Sequence, residues 1–148
     1  MSIEPGPGSV PRIVIDTNLL VGHLFRPQAS GPAGVLAAWR AGDLLVCTSE
    51  PVVREMRRTL GRLPVDDSRR RELLDLLDDG GRTELVDPVP DSGFRCADAS
   101  DDKFLHLAIA ARADALITSD RALHEVDGFP VPVMKSGQWL RGRGRCKQ

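Results

Sequence analysis

Five acidic residues lie at equivalent places in the sequence, each just after a predicted strand or in the first turns of the next helix. Asp16 closes the first predicted strand, and Glu55 lies in the second turn after the second strand. Asp101 and Asp102 open the helix after the third strand, and Asp120 directly follows the fourth. In an open parallel sheet, ligands bind beyond the carboxyl ends of the strands. We therefore expect these carboxylates to converge at one rim of the sheet.

Carboxylates that converge in this way repel one another, and each raises the pKa of its neighbours. A hard divalent cation relieves the repulsion, and Mg²⁺ and Mn²⁺ prefer oxygen ligands and retain several waters. Such an ion generates hydroxide near neutral pH and neutralises a phosphoryl oxygen, which suits phosphodiester hydrolysis. The acids thus predict a Mg²⁺ or Mn²⁺ site that could cleave a phosphodiester.

Each acid, taken alone, also has a purely structural explanation. Asp101 and Asp102 would complement the dipole of the helix they open. Asp120 would serve as a helix N-cap. Glu55 lies among arginines on its helix and suits a solvated ion-pair surface equally well. The metal site is favoured because all these explanations would have to hold together at one rim.

Asp16 is the hardest of the acids to explain structurally. A carboxylate at the end of a buried central strand is costly unless it is paired or bound to a metal. Thr17 and Asn18 follow it directly. Their side chains would either cap and turn the chain or orient Asp16 and a water on the metal.

The elements that position these acids follow from the hydrophobic pattern. Short apolar or β-branched runs predict five strands, and apolar residues at helical spacing predict helices between them. The strands are expected at 12–16, 44–48, 83–86, 115–118 and 131–134, and the helices at 19–25, at 35–41, after Ser49, around 73–77, at 101–112 and up to 125. Ser49 and Ser100 are expected to cap their helices, and Pro132 places the fifth strand at an edge. This alternation predicts a three-layer α/β/α sandwich with a parallel sheet.

The chain is long enough for one domain with a core of its own, since it has 148 residues. We expect a disordered Pro- and Gly-rich tail over 1–10, a folded domain over 11–141 and a flexible basic tail over 142–148. The basic residues at the end of the sequence are Arg141, Arg143, Arg145 and Lys147. They could hold nucleic-acid phosphates, but a solvated tail is the favoured explanation.

Composition and charge exclude several classes of protein. The three cysteines are odd in number and form no C-x-x-C pair, which argues against a disulfide framework and a thiolate zinc site. No apolar run approaches the roughly 20 residues of a membrane span, and the start does not resemble a signal peptide; we expect a cytoplasmic protein with no membrane partner. The net charge is −1, so a polyanionic substrate would need local basic patches or a bound cation.

Four segments stand in order along the chain. They are 14–21 (Val-Ile-Asp-Thr-Asn-Leu-Leu-Val), 49–60 around Glu55, 98–105 (Asp-Ala-Ser-Asp-Asp-Lys-Phe-Leu) and 116–121 (Leu-Ile-Thr-Ser-Asp-Arg). Together they resemble the PIN-domain family, and within it the VapC-like toxin ribonucleases of bacterial toxin–antitoxin systems. Asp-Thr-Asn alone is a weak motif, but the combination is specific and covers nearly the whole chain from 12 to about 140.

The resemblance implies a five-stranded parallel sheet in a Rossmann-like layout and an endoribonuclease that depends on Mg²⁺ or Mn²⁺. It also implies a homodimer, an RNA substrate and a small antitoxin protein that binds near the acidic groove. By position, the family's metal-binding and catalytic quartet matches Asp16, Glu55, Asp102 and Asp120, with Asp101 as an alternative to Asp102, and its supporting polar positions match Thr17, Asn18 and Thr118. Ala99 and Ala122 depart from the family pattern outside the quartet.

Arginines in the predicted helix after Ser49 and just before the apolar residues at 73–77 are candidates for steering the RNA backbone. They are Arg57, Arg58 and Arg62, with a further run at 69–71. Solvation of a helix surface explains them equally well. The preference for RNA over DNA is implied only by the resemblance, because the residues themselves show no recognition of a 2′-hydroxyl.

Two other functions remain open at this point. A phosphoacceptor receiver domain also uses acids, a threonine and a lysine at strand ends, and Thr118, Lys135 and Asp87 would take those places; it would leave Glu55 and Asp120 without a role. The second alternative is a PIN-like domain that binds RNA or protein without cutting it, against which the intact acids speak.

Overall fold

The predicted strands assemble into one parallel sheet flanked by helices. The computed structural model describes residues 10–146, with side chains up to residue 143. Its strands are β1 (Arg12–Ile15), β2 (Leu45–Thr48), β3 (Thr83–Leu85), β4 (Ala115–Ile117) and β5 (Val133–Met134). They lie in the order β3-β2-β1-β4-β5, and every neighbouring pair is parallel. The predicted α/β sandwich with a five-stranded parallel sheet is confirmed, and β5 lies at an edge as Pro132 indicated.

Seven helices connect or follow the strands within the described part of the chain. They are α1 (Thr17–Phe25), α2 (Ser30–Ala41), α3 (Glu50–Arg62), α4 (Asp67–Asp78), α5 (Asp102–Ala110), α6 (Arg121–His124) and α7 (Ser136–Cys146), and a single 3₁₀ turn (Ala99–Asp101) precedes α5. Gly42 ends α2 in the left-handed conformation, with φ of 80°, which a glycine adopts at no steric cost. Among these helices none has the length and apolar character to cross a membrane.

The core forms around the central strand. Ile13, Val14 and Ile15 of β1 are fully buried, because a central strand covered on both faces has no solvent-facing side. On α5, Phe104 and Leu105 are equally buried, and this helix packs against the sheet. The result is that β1 and α5 are held rigidly, and both end or begin at the carboxyl edge of the sheet.

Trp39 ties α2 to the far edge of the sheet. Its ring is completely buried, and its Nε1 donates to the Arg82 carbonyl oxygen at 3.1 Å and to Thr83 Oγ1 at 3.2 Å. Thr83 Oγ1 in turn donates to the Leu76 carbonyl oxygen of α4 at 2.7 Å. The indole therefore satisfies buried polar groups as well as filling the core.

Two predicted caps and one helix start were wrong. Ser49 occupies the N-cap position of α3, but its side chain makes no capping hydrogen bond. Ser100 lies inside the 3₁₀ turn, and the cap there is Asp98, whose Oδ1 accepts from Ser100 N at 3.0 Å and from Ser100 Oγ at 2.7 Å. The Ser100 hydroxyl donates to the Asp98 carboxylate, a charged and therefore stronger acceptor, and does not itself cap the helix. As a consequence α5 begins at Asp102 rather than at Asp101.

Helix α7 was not expected from the sequence. It continues through Cys146, whereas the segment from 142 was expected to be flexible. Trp139 is 7% exposed and, with α7 packed closely on α2, supplies the buried contact that a loose tail would lack. The expected tails at 1–9 and 147–148 lie outside the described residues.

Replacing Trp39 tests how much its hydrogen bonds contribute. Trp39→Phe should lower the free energy of unfolding by about 1–3 kcal/mol, because the indole hydrogen bonds to the Arg82 carbonyl oxygen and Thr83 Oγ1 are lost and the smaller ring leaves a void. The Arg82 carbonyl oxygen keeps the Val46 amide as a donor. Urea denaturation measures this change. Phe25→Leu is the control: Phe25 is 53% exposed, so its replacement should change stability by less than about 0.5 kcal/mol. Equal destabilisation by both variants would contradict the role given to Trp39.

Candidate metal and catalytic site

Asp16 lies at the carboxyl end of the central strand, where it is 3% exposed. It is the N-cap of α1, and its Oδ1 accepts from the Asn18 amide at 3.2 Å. Its Oδ2 accepts from Thr118 Oγ1 at 2.7 Å. Burial raises the pKa of Asp16; these two hydrogen bonds oppose the rise, and the charges of Asp120 and Glu55 add to it.

Thr118 connects two of the predicted acids. It follows β4, which pairs with β1 so that Ile15 lies opposite Ile117, and the two strand ends therefore adjoin. The buried Thr118 hydroxyl donates to Asp16 and accepts from the Asp120 amide at 2.9 Å. Asp120 caps α6, since its Oδ1 accepts from Ala122 N at 3.0 Å. Thr118 is thus a positioning residue for both carboxylates.

Asp101 is the third acid of this group. Burial raises its pKa to about 7; a hydrogen bond with the Asp120 carboxyl and the charges of Asp16, Asp98 and Asp120 contribute to the rise. Two carboxyl groups can hydrogen-bond only if one carries a proton. Asp101 therefore holds its proton beside the charges of Asp16 and Asp120, as expected where like charges cannot all ionise.

Asp102 points to different partners. Its Oδ1 accepts from the Cys96 amide at 2.9 Å and lies 3.3 Å from Cys96 Sγ. Its Oδ2 lies 3.7 Å from Arg95 Nε. The hydrogen bond from the Cys96 amide lowers the pKa of Asp102, and the charge of Arg95 contributes. Asp102 therefore anchors the loop before α5, while Asp101 faces the other acids.

Glu55 reaches the same rim from α3, but its two oxygens are already engaged. Thr17 Oγ1 donates to Glu55 Oε2 at 2.6 Å, and Lys103 Nζ lies 2.7 Å from Glu55 Oε1. Thr17, expected to support Asp16, thus orients Glu55 instead. The exposed Asn18 serves Asp16 through its backbone amide rather than its side chain.

Similarity to known proteins in sequence and similarity in fold are consistent with each other. The family model of the PIN domain matches residues 12–122, which is more than half of the chain. This chain belongs to the PIN-domain family. No curated protein is similar enough in sequence to count as a match.

Two solved structures show the same fold. One is VapBC2 from Rickettsia felis bound to a DNA fragment from its promoter, with TM-score 0.54 and 14% identity over 84% of this chain and 97% of the other. The second is FitAcB from Neisseria gonorrhoeae, with TM-score 0.53 and 19% identity over 84% of this chain and 98% of the other. At these identities the likeness concerns the fold of this PIN domain.

The receiver-domain alternative is wrong. In that fold the third strand is central and the order is 2-1-3-4-5, so that an acceptor after it would lie beside the acids of the first strand. Here β3 is an edge strand, two positions from β1. Asp87 follows β3 and is exposed, so it lies away from Asp16 and Asp120.

The donor set of this PIN domain fits a hard divalent cation, although the carboxylates are not arranged around a single point. Among the described residues, no three His, Cys, Asp or Glu side chains are close enough together to bind one ion. Asp101 is instead neutralised by its own proton, and Glu55 is paired with Lys103. Carboxylate oxygens are the ligands that Mg²⁺ and Mn²⁺ prefer, and a cation there would replace these substitutes.

The arginines expected to steer RNA are distributed differently. Arg57 pairs with Asp78 of α4, while Arg58 and Arg62 are exposed on α3. In the run at 69–71, Arg70 donates to the carbonyl oxygens of Leu60 and Leu63 and so holds the turn between α3 and α4. At least two of these arginines thus have structural partners.

Lys103 is the site residue that the sequence did not single out. It belongs to the Asp-Asp-Lys-Phe-Leu segment but was given no role, because its pairing with Glu55 joins α5 to α3 across 48 positions of the chain. The only local signal was its position at the start of α5, two residues after Asp101.

The raised pKa of Asp101 predicts a pH-dependent stability without metal. The unfolded carboxyl ionises near its usual value of 3.8, whereas the folded one holds its proton to about 7. The stabilisation is therefore complete below the unfolded value and is lost as the pH rises through about 7. Asp101→Asn removes the titrating group. The melting temperature of the variant minus that of the wild type should therefore increase between about pH 5 and about pH 8.

Differential scanning fluorimetry in EDTA measures this difference at each pH. Asp75→Asn, a change of the same charge at an exposed position of α4, should keep a constant difference from wild type across the range. A constant difference for Asp101→Asn as well would show that Asp101 does not carry a raised pKa.

Proposed function

We propose that this PIN domain is an endoribonuclease that depends on Mg²⁺ or Mn²⁺ and hydrolyses RNA phosphodiester bonds. The observation that carries the proposal is the buried carboxylate of Asp16, held by Thr118 beside Asp101 and Asp120 at the carboxyl edge of the sheet. Structural carboxylates are not usually buried together without cationic partners. The cost of assembling them is explained if a divalent cation completes the site.

Asp16, Asp101 and Asp120 are the residues that would hold the ion, and Glu55 would join them once Lys103 moves aside. This assignment prefers Asp101 to Asp102, because Asp102 is committed to the Cys96 amide. When bound, the ion would supply Lewis-acid chemistry, making a hydroxide nucleophile available near neutral pH and offsetting charge on the phosphoryl group.

The other residues of the site act by positioning and by holding protons. Thr118 fixes the orientation of Asp16 and of the turn that carries Asp120. Thr17 fixes Glu55. Asp101 would give up its proton if a cation bound beside it, because a nearby positive charge favours the ionised carboxylate. Lys103, released from Glu55, would then carry a positive charge beside the phosphate to be cleaved.

We further propose that the chain is the toxin of a toxin–antitoxin pair, that it forms a homodimer and that a small antitoxin inhibits it. VapBC2 and FitAcB share the fold of this chain, and VapBC2 was solved bound to promoter DNA. Sequence identity of 14% and 19% supports the fold only, so the partner rests on the resemblance of the motifs.

A non-cutting PIN-like binding module is the second candidate. It is favoured by one observation, that no three potential ligands among residues 10–143 are arranged around one point. Such a module would bind RNA or protein through the same rim and leave RNA intact. The two candidates differ in whether the acids bind a cation and whether RNA is cut.

Cleavage of total cellular RNA with Mn²⁺, Mg²⁺ or EDTA tests the proposed function. Wild type should cut with Mn²⁺ or Mg²⁺ and not with EDTA. Asp16→Asn and Asp101→Asn should each lower the rate by about 100-fold or more, since even the partners of metal ligands are worth 10–100-fold. Mn²⁺ should also raise the melting temperature of wild type but not of Asp16→Asn.

Asp102→Asn is the variant that separates the two adjacent acids. It should lower the rate by less than about 10-fold and the stability by about 1–3 kcal/mol, because the Cys96 amide keeps a weaker acceptor. Loss of activity in Asp102→Asn but not in Asp101→Asn would overturn the assignment of Asp101. Intact RNA and no Mn²⁺ effect on melting, with a folded protein, would instead support the non-cutting module.

A further inference from the structure

A groove opens from the acidic site between α1 and α7. It has a volume of about 880 Å³. Asn18, Thr118 and Ser119 form its inner end, and Thr118 is the residue that holds Asp16. The start of α2 forms part of its floor. The groove is therefore continuous with the rim where the carboxylates lie, and a chain lying in it would run directly to them.

The groove is basic, although the chain as a whole is not. Arg26, Lys135 and Arg141 line it, and no carboxylate is among its described lining residues. None of the three forms an ion pair with any residue between 10 and 143. Arg57, by contrast, is paired with Asp78. With a net charge of −1 for the chain, this is a local concentration of positive charge suited to a polyanion.

Close packing of two helices fixes the outer wall. A Cβ at Gly34 of α2 would lie 2.6 Å from Leu140 Cδ1, and one at Gly31 would lie 2.3 Å from Ser136 Oγ. A Cβ at either glycine would have to displace the end of the Leu140 or Ser136 side chain, so the two glycines accommodate the close contact of α7 with α2. Lys135 precedes α7 and Arg141 lies in its second turn, so the packing places both cations opposite α1.

The inner wall leaves room for a strand. Gly22 of α1 lines the groove, and a Cβ at this position would meet no atom within 4 Å. Gln138 and Ser119 add polar groups that can donate and accept hydrogen bonds. The combination of spaced cations, neutral polar groups and open space beside a helix suits a flexible phosphodiester chain better than a compact anion.

We propose that this groove binds single-stranded RNA on one side of the scissile phosphate, with Arg26, Lys135 and Arg141 contacting backbone phosphates. The inference rests on the proposed function, because the groove leads to the acids that would cut the strand. It places the RNA along α1 and α7, rather than along the arginines of α3 that were candidates from the sequence. Gly22 keeps the path open.

RNA binding by an inactive parent tests the proposal. The parent is Asp16→Asn, and the probe is a fluorescein-labelled single-stranded RNA of mixed sequence and about 12 nucleotides, followed by fluorescence anisotropy in Mg²⁺. Lys135→Gln with Arg141→Gln should weaken binding about 10-fold and lower the slope of log Kd against log salt by about 1.4, since each phosphate contact contributes about 0.7 for a single strand.

Two matched variants make the test specific. Gly22→Leu should weaken binding at least about 5-fold by filling the path, with no change of charge and a gain in helix propensity. Gly61→Leu is its control, because Gly61 lies on α3 with nothing within 4 Å of a Cβ and does not line the groove. Arg58→Gln with Arg62→Gln removes two charges from the competing surface and should change Kd by less than about 2-fold.

The outcomes separate this inference from the proposed function. Unchanged binding in Gly22→Leu and in the Lys135 and Arg141 double variant would overturn the groove, and so would an equal loss in the Arg58 and Arg62 variant. If binding follows the groove variants but wild type never cuts RNA, the groove stands and the hydrolytic function fails. If wild type cuts and the groove variants raise KM with kcat nearly constant, both stand.

Discussion

The buried carboxylate of Asp16 is the constraint on which the rest of the site depends. It ends the central strand with no cationic side chain paired to it among the described residues. Burying an unpaired charge costs several kcal/mol, and a threonine hydroxyl and a backbone amide offset only part of that cost. The fold tolerates this because β1 and α5 form a rigid core below the rim.

Each of the neighbouring acids has a different partner in place of a metal ion. Asp101 holds a proton, Asp120 accepts from the Ala122 amide, Glu55 has Lys103 and Thr17, and Asp102 has the Cys96 amide and Arg95. The pKa of Asp102 is lowered, whereas the pKa values of Asp16 and Asp101 are raised. The electrostatic cost of ionisation is therefore greatest at Asp16 and Asp101, where burial and like charge act together. A cation would stabilise the fold most at these two positions.

Charge is separated over the surface rather than spread evenly. The acids collect at the carboxyl edge of the sheet, while unpaired basic side chains collect beside them in the groove formed by α7. A net charge of −1 conceals this arrangement. Electrostatic attraction to a polyanion depends on such local fields and not on the total charge, so the position of α7 determines where a substrate could approach.

The amino-acid sequence by itself determined the alternation of strands and helices, the parallel sheet and the rim at which the acids meet, because hydrophobic period and strand ends are local properties. Only the tertiary structure showed that Asp102 is engaged by the Cys96 amide while Asp101 lies beside the other acids. Consecutive residues of a helix project their side chains about 100° apart, so the sequence could not show which of the two acids faces the rim. The pairing of Lys103 with Glu55 and the docking of α7 on α2 were likewise invisible, since each joins residues far apart in the chain whose contact depends on packing.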